Sequence, residues 1–223
     1  MIERTVFMSV FTYKSFNGER DKLLLKIVAV FLALYFAFGI SFFSASAESV
    51  RESVVRLHVL ANSDSQVDQA VKLRVRDALL RTNASILSQG VTVENAEEYF
   101  EDSKQELLET VLKTLEDNGF YYGAHITLQK EYYETRKYGD LIFPAGEYTS
   151  LKVVLGEGKG KNWWCVMFPP LCIPVADDVR GDKEKTAEYL SPSGEKIVNG
   201  GEKYIVRFKI LEIYEELRER LGV

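Results

Sequence analysis

Residues 53–79, SVVRLHVLANSDSQVDQAVKLRVRDAL, contain the change of hydrophobic period that decides the fold. In residues 53–61 apolar and polar side chains alternate, and this alternation predicts a β-strand. The polar residues 62–65 follow, and their short side chains favour turns and helix caps. We therefore expect a helix to begin near Ser65, with the Asp68 carboxylate close to the positive end of the helix dipole. This helix should bury an apolar stripe formed by Val67, Val71, Val75, Ala78 and Leu79.

A second helix and three strands are predicted further along the chain. The helix should begin at Asn95, where Glu98 lies three residues on as in a capping box, and end at Asn118 and Gly119. The hydrophobic period then changes to that of strands. The predicted strands are residues 124–133, 147–155 and 163–168.

The last part of the chain is predicted to hold a surface loop, a strand and a helix. The polar, glycine-containing residues 176–202 indicate the loop, alternation in residues 203–210 indicates the strand, and residues 211–221 indicate a terminal helix. The resulting order, β-α-α-β-β-β-β-α, predicts an α+β fold. We expect a mostly antiparallel sheet with two helices packed on one face and a C-terminal helix.

The N-terminal segment has the three parts of a secretory signal. Basic residues precede the apolar residues 23–43, and Ala45-Ser46-Ala47 has the small-x-small form that signal peptidase accepts. We expect cleavage after Ala47, so that residues 1–47 are a signal peptide and residues 48–223 a single extracytoplasmic domain. The apolar stretch is also near the minimum length for a membrane span, so a retained N-terminal anchor is the alternative. In both cases the domain lies outside the cytoplasm, and membrane contact is expected only through this segment.

Composition excludes some classes of function. The chain has 28 basic and 33 acidic residues and a net charge of -5, which argues against binding to nucleic acid. Its 2 cysteines and 2 histidines are too few for a structural zinc site with the usual four ligands. We predict no metal and no cofactor.

The two cysteines, Cys165 and Cys172, are most simply interpreted as a disulfide in an exported chain. The alternative makes Cys165 a nucleophile with His58 or His125 as its base, in an extracytoplasmic Cys-dependent cell-wall hydrolase. Neither these residues nor the scattered carboxylates form a recognisable catalytic set. We therefore expect that the chain is not an enzyme.

Two further motifs have competing interpretations. The polar residues 62–65 with Asp68 are similar to a calcium loop but lack its regular oxygen ligands, its central glycine and its terminal Glu, so helix capping is favoured. Residues 156–160, GEGKG, are similar to a phosphate-binding loop but are followed by a strand, so a hairpin turn is favoured.

Trp163 and Trp164 are adjacent on a predicted strand and should therefore point to opposite faces of the sheet. If one of those faces meets water, one indole is exposed beside Pro169 and Pro170. Tryptophan in such a place is a frequent anchor of protein interfaces. The alternative is that both rings belong to the core.

Several stretches together resemble the stage II sporulation protein R family. Residues 56–65, RLHVLANSDS, with the similar residues that continue to Ala78, resemble its first signature. Residues 143–148, FPAGEY, the spaced glycines of residues 156–160, and residues 162–172, NWWCVMFPPLC, resemble its second. The resemblance extends from about residue 54 to residue 173.

This resemblance implies a secreted signalling protein of endospore formation. Family members are made in the forespore and exported into the space between its two membranes. There they activate a membrane-embedded aspartic protease of the mother cell, which cleaves pro-sigma-E. The expected contact with that protease is through Trp163 or Trp164 and the loop after them, Phe168, Pro169, Pro170 and Leu171. Asn62 and Asp64, in the turn after the first predicted strand, are expected nearby. A structural envelope protein held by an uncleaved anchor is a further hypothesis.

Overall fold

The computed structural model describes residues 18–87, 90–171, 189–200, 204, 208–210, 212–213 and 220. The chain divides into two compact units, Met1–Phe42 and Phe43–Val223. Helix α1, Glu19–Glu52, begins in the first unit and ends in the second. Its residues are exposed up to Phe42, and by length and composition it could cross a membrane, a property that a signal sequence shares.

The second unit is built on a four-stranded sheet. Its strands are β1 (Val55–Leu60), β2 (Ala124–Tyr133), β5 (Gly146–Leu155) and β6 (Asn162–Phe168), and their order is β2-β5-β1-β6. Strand β1 is parallel to β5, whereas the β1–β6 and β2–β5 pairs are antiparallel. The sheet is therefore mixed, with two antiparallel pairs out of three. A separate hairpin of β3 (Arg136–Tyr138) and β4 (Leu141–Phe143) joins β2 to β5.

In the described part of the chain, α1 is followed by the helices α2 (Gln66–Leu87), α3 (Ala96–Asp102), α4 (Lys104–Asp117) and α5 (Pro192–Asn199). The predicted α+β class is confirmed, because the apolar sides of α2 and α4 pack in one core with the sheet. The helix predicted from Asn95 is two helices with Ser103 between them. The Asn95 side chain does not cap α3; its Oδ1 instead accepts a hydrogen bond from the Thr92 N–H at 2.7 Å.

The two faces of the sheet are covered differently. The helix-covered face carries apolar side chains such as Leu57, Leu151 and Cys165, which pack with α2 and α4. On the opposite face, the half that contains Tyr148 and Val166 is covered by the end of α1, by β4 and by α5. His58 and Trp164 lie on this opposite face, further towards the end where β1 finishes.

Three of the sequence predictions, for the sheet connection and the C-terminal part, were wrong at the residues that the structure describes. Residues 156–160 do not form a hairpin turn, because β5 and β6 both pair with β1 and lie on either side of it. The loop predicted for residues 176–202 contains α5, whose Ser191 cap and Pro192 at the first position are a recognisable start signal. Phe208 and its two successors are helical, not part of a strand. Residues 172–188, and most of the terminal helix predicted for residues 211–221, lie outside the described residues.

Candidate functional site

The two tryptophans lie on opposite faces of β6, as strand geometry predicts. Trp163 pairs with Val59 on the helix-covered face, and the Arg76 guanidinium lies 4.4 Å from its ring centroid. Its indole Nε1 is buried without a hydrogen-bond partner among the described residues. Trp164 pairs with His58 on the opposite face. Both rings are partly exposed, so neither is a fully buried core residue.

Trp164 belongs to a compact group of side chains on the opposite face, the open-face cluster, formed by His58, Glu131, Lys152, Asn162 and Trp164. The Trp164 ring stacks on the His58 imidazole with 3.5 Å between centroids, and the Tyr133 ring meets it edge-on at 5.1 Å. These two contacts hold the indole in one orientation while part of it stays exposed.

Hydrogen bonds and an ion pair fix the rest of the open-face cluster. His58 Nδ1 lies 3.1 Å from a Glu131 carboxylate oxygen, and its Nε2 lies 2.9 Å from Asn162 Oδ1. Lys152 Nζ lies 2.9 Å from the other Glu131 oxygen. Burial lowers the pKa of His58 below its ordinary value, against the opposing effects of Asn162 and Glu131. Burial would raise the pKa of Glu131, but hydrogen bonds from Lys152 and Ser150 and the contact with His58 leave it lowered.

This geometry does not support the cysteine-nucleophile alternative. Cys165 pairs with Leu57 and faces α2 and α4, whereas His58 is one residue along β1 and faces the other side. His125 pairs with Val154, which places it on the same face as His58 and away from Cys165. Both ring nitrogens of His58 are engaged by Glu131 and Asn162. Neither histidine is placed to take a proton from the Cys165 thiol.

Cys165 is 4% exposed, and its predicted partner Cys172 lies outside the described residues. The disulfide therefore stays a prediction. The loop residues between them are mostly interior: Phe168 is 1% and Leu171 7% exposed, and Pro169 is also buried, with a cis peptide bond before it. Pro170 is partly exposed. In this structure Phe168, Pro169 and Leu171 support the fold and do not offer side-chain surface to a partner.

The turn after β1 is organised by the Asp68 carboxylate, which explains its sequence. Asp68 accepts hydrogen bonds from Ser63 Oγ at 2.5 Å, Asn62 Nδ2 at 3.0 Å and Tyr122 Oη at 2.9 Å. Burial would raise the pKa of Asp68, but these hydrogen bonds lower it. The Asp68 N–H donates to Ser65 Oγ at 3.2 Å, as expected for a helix cap. The expected interface residue Asp64 is exposed in the same turn, and Asn62 is partly exposed.

The glycine-rich residues 156–160 fold against this turn. The Asn62 side chain accepts a hydrogen bond from the Glu157 N–H at 2.9 Å, and the Asn62 carbonyl accepts one from the Lys159 N–H at 3.1 Å. Gly156 has φ +55°, and a Cβ there would lie 2.2 Å from Asn62 Oδ1. The two sequence signatures are therefore two halves of one structural unit, at the end of β1 and beside the open-face cluster.

Sequence reasoning missed three basic residues that stabilise this region. Arg56 is 0% exposed, with its guanidinium 4.4 Å from the Tyr133 ring centroid and 4.9 Å from that of Tyr148. Lys72 and Arg76 lie outside the apolar stripe predicted for α2 but are only 4% and 7% exposed. Lys72 Nζ donates to the Lys161 carbonyl at 2.8 Å and so joins α2 to the start of β6. The charge of these three residues suggests that they face solvent, and only the elements that pack over them show that they are interior.

The sequence profile described as stage II sporulation protein R matches residues 51–178. The protein named stage II sporulation protein R from Bacillus subtilis (strain 168) is 35% identical over 150 residues, which covers 63% of this chain and 67% of that protein. No solved structure matches the chain. The residues matched by the profile include strands β1 to β6, the turn after β1 and the open-face cluster.

Proposed function

The chain belongs to the stage II sporulation protein R family, and from that premise we propose that it is an exported signal activating a membrane-embedded aspartic protease that cleaves pro-sigma-E. The family gives the chain a role in sporulation. The proposal adds the receptor, the origin of the chain in the forespore and its site of action between the two membranes. The observation that carries it is the family match, which covers both signatures and the sheet that joins them.

We propose further that the open-face cluster is the surface that contacts the protease. Trp164 supports this assignment, because its ring is partly exposed and already held by His58 and Tyr133. A side chain that is ordered before binding loses little conformational entropy on binding, so it contributes more to affinity. Exposed Asn162 belongs to the same cluster, and exposed Asp64 lies in the turn after β1; both supply polar groups for the rim of such an interface.

Activation then requires no chemistry from this chain. An aspartic protease is active when two aspartates lie close enough to share one proton. A ligand that binds better to the aligned state than to the unaligned state increases the population of the aligned state by its difference in affinity. The side chains of the open-face cluster are occupied with one another, which suits a binding surface better than a reacting centre.

Co-expression in a host that does not form spores tests the function. The full chain, the membrane-embedded protease and pro-sigma-E are produced together, and cleavage of pro-sigma-E is followed on an immunoblot. We expect cleavage only when all three proteins are present. Cleavage of equal extent without this chain, or cleavage by this chain without the protease, would contradict the proposal.

A further inference from the structure

The predicted signal-peptidase site lies inside the folded structure. Cleavage was expected after Ala47, but Ala47 is an internal residue of α1, which continues to Glu52. Ala47 is 0% and Ser46 4% exposed. In the folded chain this segment is therefore not accessible to a protease.

Residues that cleavage would remove belong to the core of the second unit. Phe43 is 7% exposed and packs with Ala47 in a small apolar cluster that also contains Ile142, Ile197 and Phe208. The Phe43 and Phe208 ring centroids are 5.5 Å apart. Without residues 1–47 the cluster loses two of its five buried members, and the other three are left without those contacts.

The residues just after the site also depend on those before it. The Arg51 Nη1 donates to the Ala145 carbonyl at 2.9 Å, and Ser49 Oγ lies 3.0 Å from Ser191 Oγ. These contacts need residues 48–52 to be helical. In an α-helix the N–H of each residue bonds to the carbonyl four positions earlier, so residues 48–51 use the carbonyls of residues 44–47. A helix of five residues would not form by itself in water.

The exposed part of α1 has the length of a membrane span and not that of a typical signal peptide. Every residue from Leu23 to Phe42 is exposed, and burial begins at Phe43. At 1.5 Å per residue this stretch is about 30 Å long, which is about the thickness of the bilayer hydrocarbon core. The apolar part of a signal peptide is usually only about 7–15 residues long. The change from exposed to buried thus falls before the small-x-small site.

We propose that this chain is not processed after Ala47 and stays in the membrane through α1, with residues 43–47 serving as part of the folded extracytoplasmic unit. The occupant of the exposed apolar helix is the lipid bilayer. The inference concerns processing and holds whether or not the proposed receptor is correct.

A single substitution tests processing without disturbing the core. Ala45 is exposed, so Ala45→Gln should preserve the fold, yet it removes a small residue that signal peptidase requires. The full chain and Ala45→Gln are exported from a Gram-positive host, and their mass, N-terminal sequence and membrane association are determined. We expect both proteins to keep the apolar helix and to resist extraction from the membrane at alkaline pH. If the unsubstituted protein begins at Glu48, or at any residue after Phe43, the inference is overturned, and an uncleaved Ala45→Gln protein would identify signal peptidase as the cause.

Two neighbouring phenylalanines test whether the segment supports the fold. Phe43 is 7% exposed and Phe42 63%. In the full chain in detergent, Phe43→Ala should lower the Tm of the domain by about 5–10 °C, whereas Phe42→Ala should leave it unchanged. If Phe43→Ala does not fold, Phe43→Leu should give a smaller decrease in Tm. Equal Tm values for Phe43→Leu, Phe43→Ala and Phe42→Ala would overturn the structural role.

Discussion

The two faces of the sheet bury side chains of different chemistry. On the helix-covered face the strands themselves bury apolar side chains, such as Leu57, Val59, Leu151 and Val153, each 0% exposed, and the buried Arg76 comes from α2. The opposite face buries charged groups as well: on β1 alone, Arg56 is 0% and His58 5% exposed. The first face is stabilised by the removal of apolar area from water, and the second depends on specific partners for each polar group.

The largest difference in the free energy of unfolding should come from substituting two leucines of β1 that face opposite sides of the sheet. Leu57 is 0% exposed on the helix-covered face, whereas Leu60 is only partly buried on the opposite face. Leu57→Ala should lower the free energy of unfolding by about 3 kcal/mol, because it leaves a cavity in a packed core. Leu60→Ala should cost about 1 kcal/mol. Urea unfolding of the full chain in detergent, followed by tryptophan fluorescence, measures both.

Equal losses of unfolding free energy in Leu57→Ala and Leu60→Ala would contradict this difference between the two faces. They would show that the opposite face is as tightly packed around Leu60 as the core is around Leu57.

A smaller effect is expected from removing the buried guanidinium. Four aromatic rings surround Arg56, with Tyr133 the nearest, and its Nη2 lies 3.3 Å from the Tyr138 hydroxyl. Arg56→Ala should cost about 2 kcal/mol, because cation–π contacts and side-chain packing are lost together. The control is Arg74→Ala, which changes an exposed residue of α2 and should cost less than about 0.5 kcal/mol. Unfolding in urea compares them, and a stability of Arg56→Ala equal to that of Arg74→Ala would refute the role of the guanidinium.

Arg56 also shows which features of the fold the sequence alone could predict. The alternation of residues 53–61 correctly predicted β1, because a period of two residues is that of a strand. The same alternation assigns Arg56 and His58 to solvent, since it cannot show that β4, α5 and the end of α1 cover that face. Such covering contacts join residues far apart in the chain.

The candidate site was predictable to a similar degree. Strand geometry correctly placed Trp163 and Trp164 on opposite faces, and capping chemistry explained the Asn62 turn. The partners of Trp164 were not predictable, because Glu131 and Lys152 come from β2 and β5 and meet His58 only through the sheet order. The hairpin expected at residues 156–160 failed for the same reason, since β1 lies between the two strands that the turn connects.

The smallest expected effect is a dependence of the free energy of unfolding on pH. Burial holds the pKa of His58 below its value in the unfolded chain, so the folded state binds fewer protons. Stability should therefore decrease as the pH falls through about 6.5, and the decrease should stop below the lowered pKa. The groups that face His58 are Glu131, Lys152 and Asn162.

Substitution of His58 separates this effect from other titrations. His58→Gln should reduce the loss of unfolding free energy between about pH 7.5 and 5.5. Urea unfolding at the two pH values is the measurement. An unchanged pH dependence in His58→Gln would show that the open-face cluster does not depend on a neutral imidazole.

The central claim is that the open-face cluster, and not the helix-covered face, contacts the receptor. Trp164→Ala and Tyr132→Ala are compared in the co-expression experiment, because Tyr132 is a 52% exposed aromatic residue whose position on β2 faces the other side of the sheet. We predict that Trp164→Ala abolishes cleavage of pro-sigma-E while the protein is still exported and folded, and that Tyr132→Ala supports normal cleavage. Normal cleavage with a folded Trp164→Ala protein would contradict the account.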